Sequence, residues 1–209
     1  MRLNKWLVLA GAASSRRKAG EQALAKDTIT LDGENLRITA EAPRIIAFYK
    51  PRDVISSHTR QGKRNKIVFD FLPLGWHRDI IVGRLDRDSE GLMLLTNDGA
   101  LAHELMHPSF GVQRVYQVTT KQTLTDNDLD LLVSGIELED GTSRAISATR
   151  DGERRVRIIL EEGRNRQIRR SLDALGHTVT RLVRIQHGPY PLEDLQPGEW
   201  REISLEDAS

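Results

Sequence analysis

The sequence predicts an α+β fold, a mixed and largely antiparallel sheet with flanking helices. Strand and helix patterns follow one another without the regular alternation that builds a parallel α/β sheet. The chain holds no internal repeat and no low-complexity tract. Its 209 residues, 38% hydrophobic and 29% charged, suffice for one substantial core and a small appendage.

Residues 2–10 read as a short helix through Leu3, Trp6, Leu7, Leu9 and Ala10. Gly11 ends it, and Ser14 or Ser15 caps a second helix over about 15–26. Residues 27–33 read as a strand and turn. Pro43 marks a boundary, which divides the chain into 1–42 and 43–209. Residues 44–49 are rich in β formers (Ile45, Ile46, Phe48, Tyr49) and stop at Lys50-Pro51. The basic stretch 56–66 reads as a mobile loop, and 67–72 as a short apolar turn before Pro73. Strands are expected at Ile80–Val82 and Leu92–Leu95, followed by a turn or cap at 96–99 and a helix over 99–107. A strand over 113–120 precedes a helix over 125–134, capped by Thr125 or Asp126, with Leu129, Leu132 and Val133 on one face. Short strands near 143–149 and 154–161 lead to a helix ending at Gly176. Val179–Ile185 supplies a further strand.

The absence of cysteine excludes disulfides, thiolate metal sites and a cysteine nucleophile. No apolar run approaches the length of a membrane span and no signal peptide pattern is present, so cytoplasm is the default location. Net charge is only +1, but it is unevenly spread. Arg2, Lys5, Arg16, Arg17 and Lys18 stand without an acid in residues 1–20. Six cations, Lys50, Arg52, Arg60, Lys63, Arg64 and Lys66, face Asp53 alone in residues 50–66. Arg164, Arg166, Arg169 and Arg170 form a third cluster. Such asymmetry fits a phosphate-facing side and an acidic, solvated one.

Residues 83–99 organise the chain. Between two apolar strands lie Arg84, Asp86, Arg87, Asp88, Ser89 and Glu90, bracketed by Gly83 and Gly91. An irregular polar loop held by rigid strands is where catalytic side chains tend to sit. Gly83-Arg84-Leu85-Asp86, Ser89-Glu90-Gly91-Leu92 and Leu95-Thr96-Asn97-Asp98-Gly99 closely resemble the signature of the RsuA/RluB/RluE/RluF branch of RNA pseudouridine synthases. That resemblance implies a sheet with a central RNA-binding cleft. It also implies isomerisation of a uridine in ribosomal RNA, with the large-subunit RNA favoured through Ala47–Pro51 and Leu105–Ser109. Arg-Leu-x-Lys-x-Leu from Arg2, then Gly11 and Ser15-Arg16-Arg17-Lys18-Ala19, resembles the start of the S-four-type RNA-binding domain often found ahead of these enzymes. The strand–turn–strand segment expected before residue 27 is missing, so 1–42 reads as a truncated remnant.

By the resemblance Asp86 is the catalytic carboxylate. Asp88 and Glu90 fall outside the motif position and suit capping or surface roles. Gln167-Ile168-Arg169 matches the motif whose arginine pairs with the catalytic carboxylate, which makes Arg169 that partner. Tyr116 matches the tyrosine that stacks on the target base, and Arg84 the arginine that holds the flipped-out conformation. Lys50, Arg164, Arg166, Arg170, Arg16 and Arg17 are the further RNA contacts expected. The reaction loses and gains no atoms and involves no redox change, so neither cofactor nor metal is expected. The enzyme is expected to be a monomer acting on a structured stem-loop, away from membranes.

Two other classes compete. His103-Glu104-Leu105-Met106-His107 fits the zinc-hydrolase pattern His-Glu-x-x-His, although Pro108 follows at once and Phe110 stands where the longer motif needs glycine. A non-catalytic ribosomal RNA-binding assembly factor would share the basic clusters. It would have no need of Asp86, Tyr116 and Arg169 together.

Overall fold

The computed structural model describes residues 42–60, 62 and 64–203, together with backbone strands at 30–31 and 34–35. The chain forms two compact units, Met1–Ala42 and Pro43–Ser209. In the first, β1 (Thr30–Leu31) pairs antiparallel with β2 (Glu34–Asn35). The helices expected over 2–10 and 15–26, with Arg16 and Arg17, lie outside the described residues.

The second unit opens with β3 (Ile45–Lys50), β4 (Val54–Ile55), β5 (Lys66–Ile67), β6 (Ile80–Val82) and β7 (Glu90–Thr96). Helix α1 (Gly99–Met106), β8 (Arg114–Thr120), α2 (Asp126–Ser134), β9 (Ile136–Leu138) and β10 (Gly141–Ser143) follow. The unit closes with β11 (Ser147–Gly152), β12 (Arg155–Leu160), α3 (Gln167–Ala174), β13 (Val179–His187), β14 (Tyr190–Pro191) and β15 (Trp200–Ile203). The main sheet runs β11-β12-β8-β13-β7-β3-β15, with β6 also on β7 and β14 on β13. Every pairing in it is antiparallel except β7 with β13, where Val183 meets Glu90 and Arg184 meets Gly91. The α+β expectation holds.

Strands β3 and β7 are buried on both faces, which is why they read as continuous apolar runs rather than as alternation. Ile46, Phe48, Met93 and Leu95 face one core with α2, α3 and the 67–72 segment. Ile45, Ala47, Leu92 and Leu94 face a second core with α1 and Tyr190, Leu192 and Leu195. Side chains two apart share a face, so the sequence alternates between two cores.

Asp98 caps α1 by accepting from the N–H groups of Ala100 and Leu101. Thr125 and Asp128 form a reciprocal capping box on α2, and Gly135 ends that helix. The expected apolar face of α2 needs correction. Leu132 is buried and Leu129 packs on the core, but Val133 is 40% exposed. The segment after Ile67 is a 3-10 turn, Val68–Phe71. Described parts of the 56–66 stretch are tied down: Ser56 bonds Leu85 O, His58 Nε2 lies 2.8 Å from Asp79 O, and Arg60 pairs with Asp70. Strands β14 and β15 have no counterpart in the sequence reading.

Candidate active site

The polar loop between β6 and β7 crosses the middle of the sheet, beside the parallel contact of β7 with β13. Gly91 makes that contact possible. Its φ is +104°, and a Cβ there would stand 2.4 Å from Arg184 O and 2.7 Å from Arg184 N. Only glycine allows so close an approach of two backbones.

Each carbonyl from Leu85 to Ser89 has a hydrogen-bond donor. Ser56 Oγ donates to Leu85 O at 2.6 Å and accepts from Leu85 N. Ser89 N donates to Asp86 O, and Asp53 N to Arg87 O, at 3.1 and 2.7 Å. Arg169 Nη2 donates to Asp88 O at 2.9 Å, and Lys50 Nζ to Ser89 O at 2.6 Å. A loop so anchored holds its side chains to a narrow range of positions, as a reaction centre requires.

Lys50 corrects the sequence reading. It was expected at the RNA surface, yet it is 0% exposed, and its ammonium bonds Pro51 O and Ser89 O. Strand β3 is buried on both faces, so its last side chain has no route to solvent. Burial pushes its pKa down to about 8, against the opposing pull of Asp86, Asp88, Glu90 and Asp53. Lys50 therefore props the loop from beneath.

Asp86 opens into a cleft of about 400 Å³, lined also by Arg84, Tyr116, Arg164, Arg166 and Ile168. Its side chain is 32% exposed. Tyr116 is mostly buried but forms part of the cleft wall, while Arg84 is exposed at the rim. Asp86, Tyr116 and Arg84 thus share one cleft.

The guanidinium partners are arranged differently from expectation. Arg169 meets Asp88 rather than Asp86, with Nε 3.3 Å from the Asp88 carboxylate. Arg166 grips both Asp88 oxygens at 2.8 and 3.0 Å, and its Nη1 lies 3.9 Å from Asp86. Hydrogen bonding from Arg166 holds the Asp88 carboxyl below the usual carboxylate range, and the nearby Arg169 charge adds to this. Asp88 is therefore the anchor of both arginines, not a surface acid. Arg166 takes a left-handed backbone, φ +48°, at the start of α3, and this aims its side chain back across the cleft.

Glu90 is likewise no surface group. It is 7% exposed and accepts from Tyr49 Oη and from Arg181 Nε, at 3.2 and 2.8 Å. Burial raises its pKa, but the Arg181 contacts outweigh this and the net shift is downward. Arg164 donates to the carbonyls of Asp140, Gly141 and Thr142, so it clamps the β9–β10 hairpin. Arg170 pairs with the Asp140 carboxylate at 2.8 and 2.9 Å. Gln167, given no role of its own in the motif, is buried at the start of α3 and bonds Ser143 and Glu162. Sequence reasoning missed Ser56, whose hydroxyl has no pattern a sequence could reveal.

The His103 and His107 rings stack with centroids 4.9 Å apart. His107 lies beyond the helix, with extended backbone, and its Nδ1 faces Ser109 Oγ at 2.8 Å. Among the described residues no three histidine, aspartate or glutamate side chains converge as metal ligands. No described helix is long and apolar enough to cross a membrane.

The sequence pattern of RNA pseudouridylate synthases matches residues 44–174, which is more than half of the chain and includes Asp86, Tyr116, Arg166 and Arg169. The ribosomal large subunit pseudouridine synthase B of Vibrio cholerae is 37% identical over 191 residues, covering 87% of this chain and 59% of that protein. The chain thus spans less than two thirds of that relative's length. The Bacillus subtilis protein of the same description is 36% identical, with 97% and 92% of the two chains covered. The ribosomal large subunit pseudouridine synthase E of Vibrio vulnificus is 40% identical, covering 78% and 76%. A crystal structure of a pseudouridylate synthase superposes with a TM-score of 0.76 at 25% identity, over 100% of this chain and 98% of that one.

Proposed function

Because the chain belongs to the RNA pseudouridylate synthase family, we propose that it converts a uridine of ribosomal RNA into pseudouridine. Large-subunit RNA is the favoured substrate, since the relatives at 36–40% identity carry large-subunit descriptions. The single observation that carries the reading is Asp86, held on a loop whose carbonyls from Leu85 to Ser89 all accept hydrogen bonds, in a cleft with Tyr116 and Arg166.

Isomerisation breaks the bond between N1 and C1′, turns the uracil and joins C5 to C1′. The C5 proton leaves and N1 gains one, so atoms and electrons balance without a cofactor. Asp86 supplies the carboxylate, either as nucleophile or as the base that takes a sugar proton. The base must leave its stack to reach Asp86, and the Tyr116 ring offers it a stacking wall. Arg166, 3.9 Å from Asp86, sets a fixed positive charge beside the carboxylate. Arg169 acts on the loop through Asp88, and Arg84 at the rim meets the displaced strand. One chain supplies all these groups, which suits a monomer working on a stem-loop.

The test is pseudouridine mapping of ribosomal RNA from cells lacking the protein, with Asp86→Asn as the complementing variant. One uridine should stay unmodified in both, and Asp86→Asn should keep RNA affinity within about tenfold, roughly 1.4 kcal/mol. Full modification by that variant would remove Asp86 from the chemistry. An unchanged map in the deletion strain would leave the binding-factor reading.

A further inference from the structure

Burial of Lys50 moves the positive charge of the 50–66 stretch elsewhere. Arg52, Arg64 and Lys66 line a second cleft of about 440 Å³, together with Arg87, Asp53 and Phe71. Arg87 lines this cleft and the Asp86 cleft alike, so the anchored loop is the ridge between them. Its backbone is fixed there by Asp53 N at 2.7 Å.

The cations of this cleft outnumber its acids four to one. Asp53 is its one acid, 81% exposed and already beside Arg87 Nε at 3.4 Å. Among the described residues neither Arg64 nor Lys66 pairs with a carboxylate, whereas Arg60 nearby is neutralised by Asp70. Arg52 donates to Thr180 O, a neutral group. Lys66 Nζ stands 5.9 Å from the Phe71 ring centroid. Three cations without a carboxylate partner beside an aromatic ring, in a cleft that shares Arg87 with the base-sized one, have the makeup of a single-strand nucleic-acid track.

We propose that this second cleft binds the sugar-phosphate backbone of the RNA strand as it leaves the target uridine. The inference rests on the RNA-modifying reading of the Asp86 cleft and names where the flanking strand goes. Arg87 meets the first phosphate at the ridge, and Arg64 and Lys66 meet the following ones. Binding here is indifferent to base identity, because the groups offered are cations and a ring face. It fixes which way the strand runs through the catalytic cleft.

The experiment measures binding of a single-stranded oligouridylate of about 15 nucleotides, within the span such grooves cover, across a salt series. Arg64→Ala/Lys66→Ala should weaken binding about tenfold at low salt. It should also flatten log affinity against log salt by about 1.4, two contacts at about 0.7 each. Arg64→Glu/Lys66→Glu should weaken binding further. Arg154→Ala/Arg157→Ala removes the same charge from exposed positions away from the cleft and should leave the slope unchanged. In the wild type, 4-thiouridine placed along the oligomer should cross-link to the peptide containing Phe71. An unchanged slope in the first variant would overturn the proposal. So would an equal loss in the control pair, or cross-links confined to the Tyr116 cleft. Failure of the wild type to modify ribosomal RNA would instead overturn the functional reading, leaving the binding comparison intact.

Discussion

Arg166 closes on both carboxylate oxygens of Asp88, at 2.8 and 3.0 Å, while its Nη1 stays 3.9 Å from Asp86. One guanidinium thus spans two acids, and the motif's neighbour carboxylate sets its position. Asp88→Asn should keep the side-chain volume but release Arg166 and Arg169. Single-turnover conversion should slow about tenfold, near 1.4 kcal/mol of barrier. RNA affinity should hold or rise, since two cations lose their internal anion. A rise in KM with unchanged turnover would make Asp88 a binding group only.

Gly91→Ala should destabilise the Pro43–Ser209 unit by at least about 2 kcal/mol, because overpacking and a disfavoured backbone act together. The added Cβ would stand 2.4 Å from Arg184 O and 2.9 Å from Val183 Cγ1. Urea midpoints measure this. Gly75→Ala, with open space around it, is the comparison and should shift little.

His187 should make the protein acid-sensitive well above the carboxylate range. It is 0% exposed, and burial together with the Arg184 and Arg114 charges pushes its pKa down to about 2. In the unfolded chain the value is about 6.5, so unfolding takes up a proton below that pH. Stability is therefore complete above pH about 6.5 and declines toward acid, by up to about 1.4 kcal/mol per pH unit. His187→Gln should flatten that decline in urea titrations between about pH 6.5 and 4.5. Persistence of the full slope would place the proton elsewhere.

Chelation should leave activity intact. His103 and His107 stack on each other beside Phe110, and the His107 ring bonds Ser109. Dialysis against a strong chelator followed by an RNA modification assay checks this. Loss of activity restored by zinc would bring the hydrolase pattern back.

The strands were legible where one residue type filled both faces, as in β3 and β7, and the α1 and α2 caps followed from Asp98 and Thr125. The motif likewise pointed to Asp86, Tyr116 and Arg84, which the structure brings into one cleft. What stayed hidden depends on contacts across long separations. Lys50 looks like a surface cation until its strand is seen sandwiched between two cores. Asp88 looks like a loop acid until α3, some 80 residues later, arrives with Arg166. β15 shows little apolar alternation, because it lies at the sheet edge and borrows its order from β3.

That borrowed order has a price in biosynthesis. Residues 200–203 pair with Phe48, Ala47, Ile46 and Ile45 of the fully buried apolar strand β3. During translation β3 emerges early, yet the strand that covers its open side comes about 150 residues later. For that interval a row of unpaired backbone groups, flanked by apolar side chains, can recruit any neighbouring chain. A chain ended short of Trp200 would therefore carry the whole Asp86 loop and leave its stickiest edge unguarded.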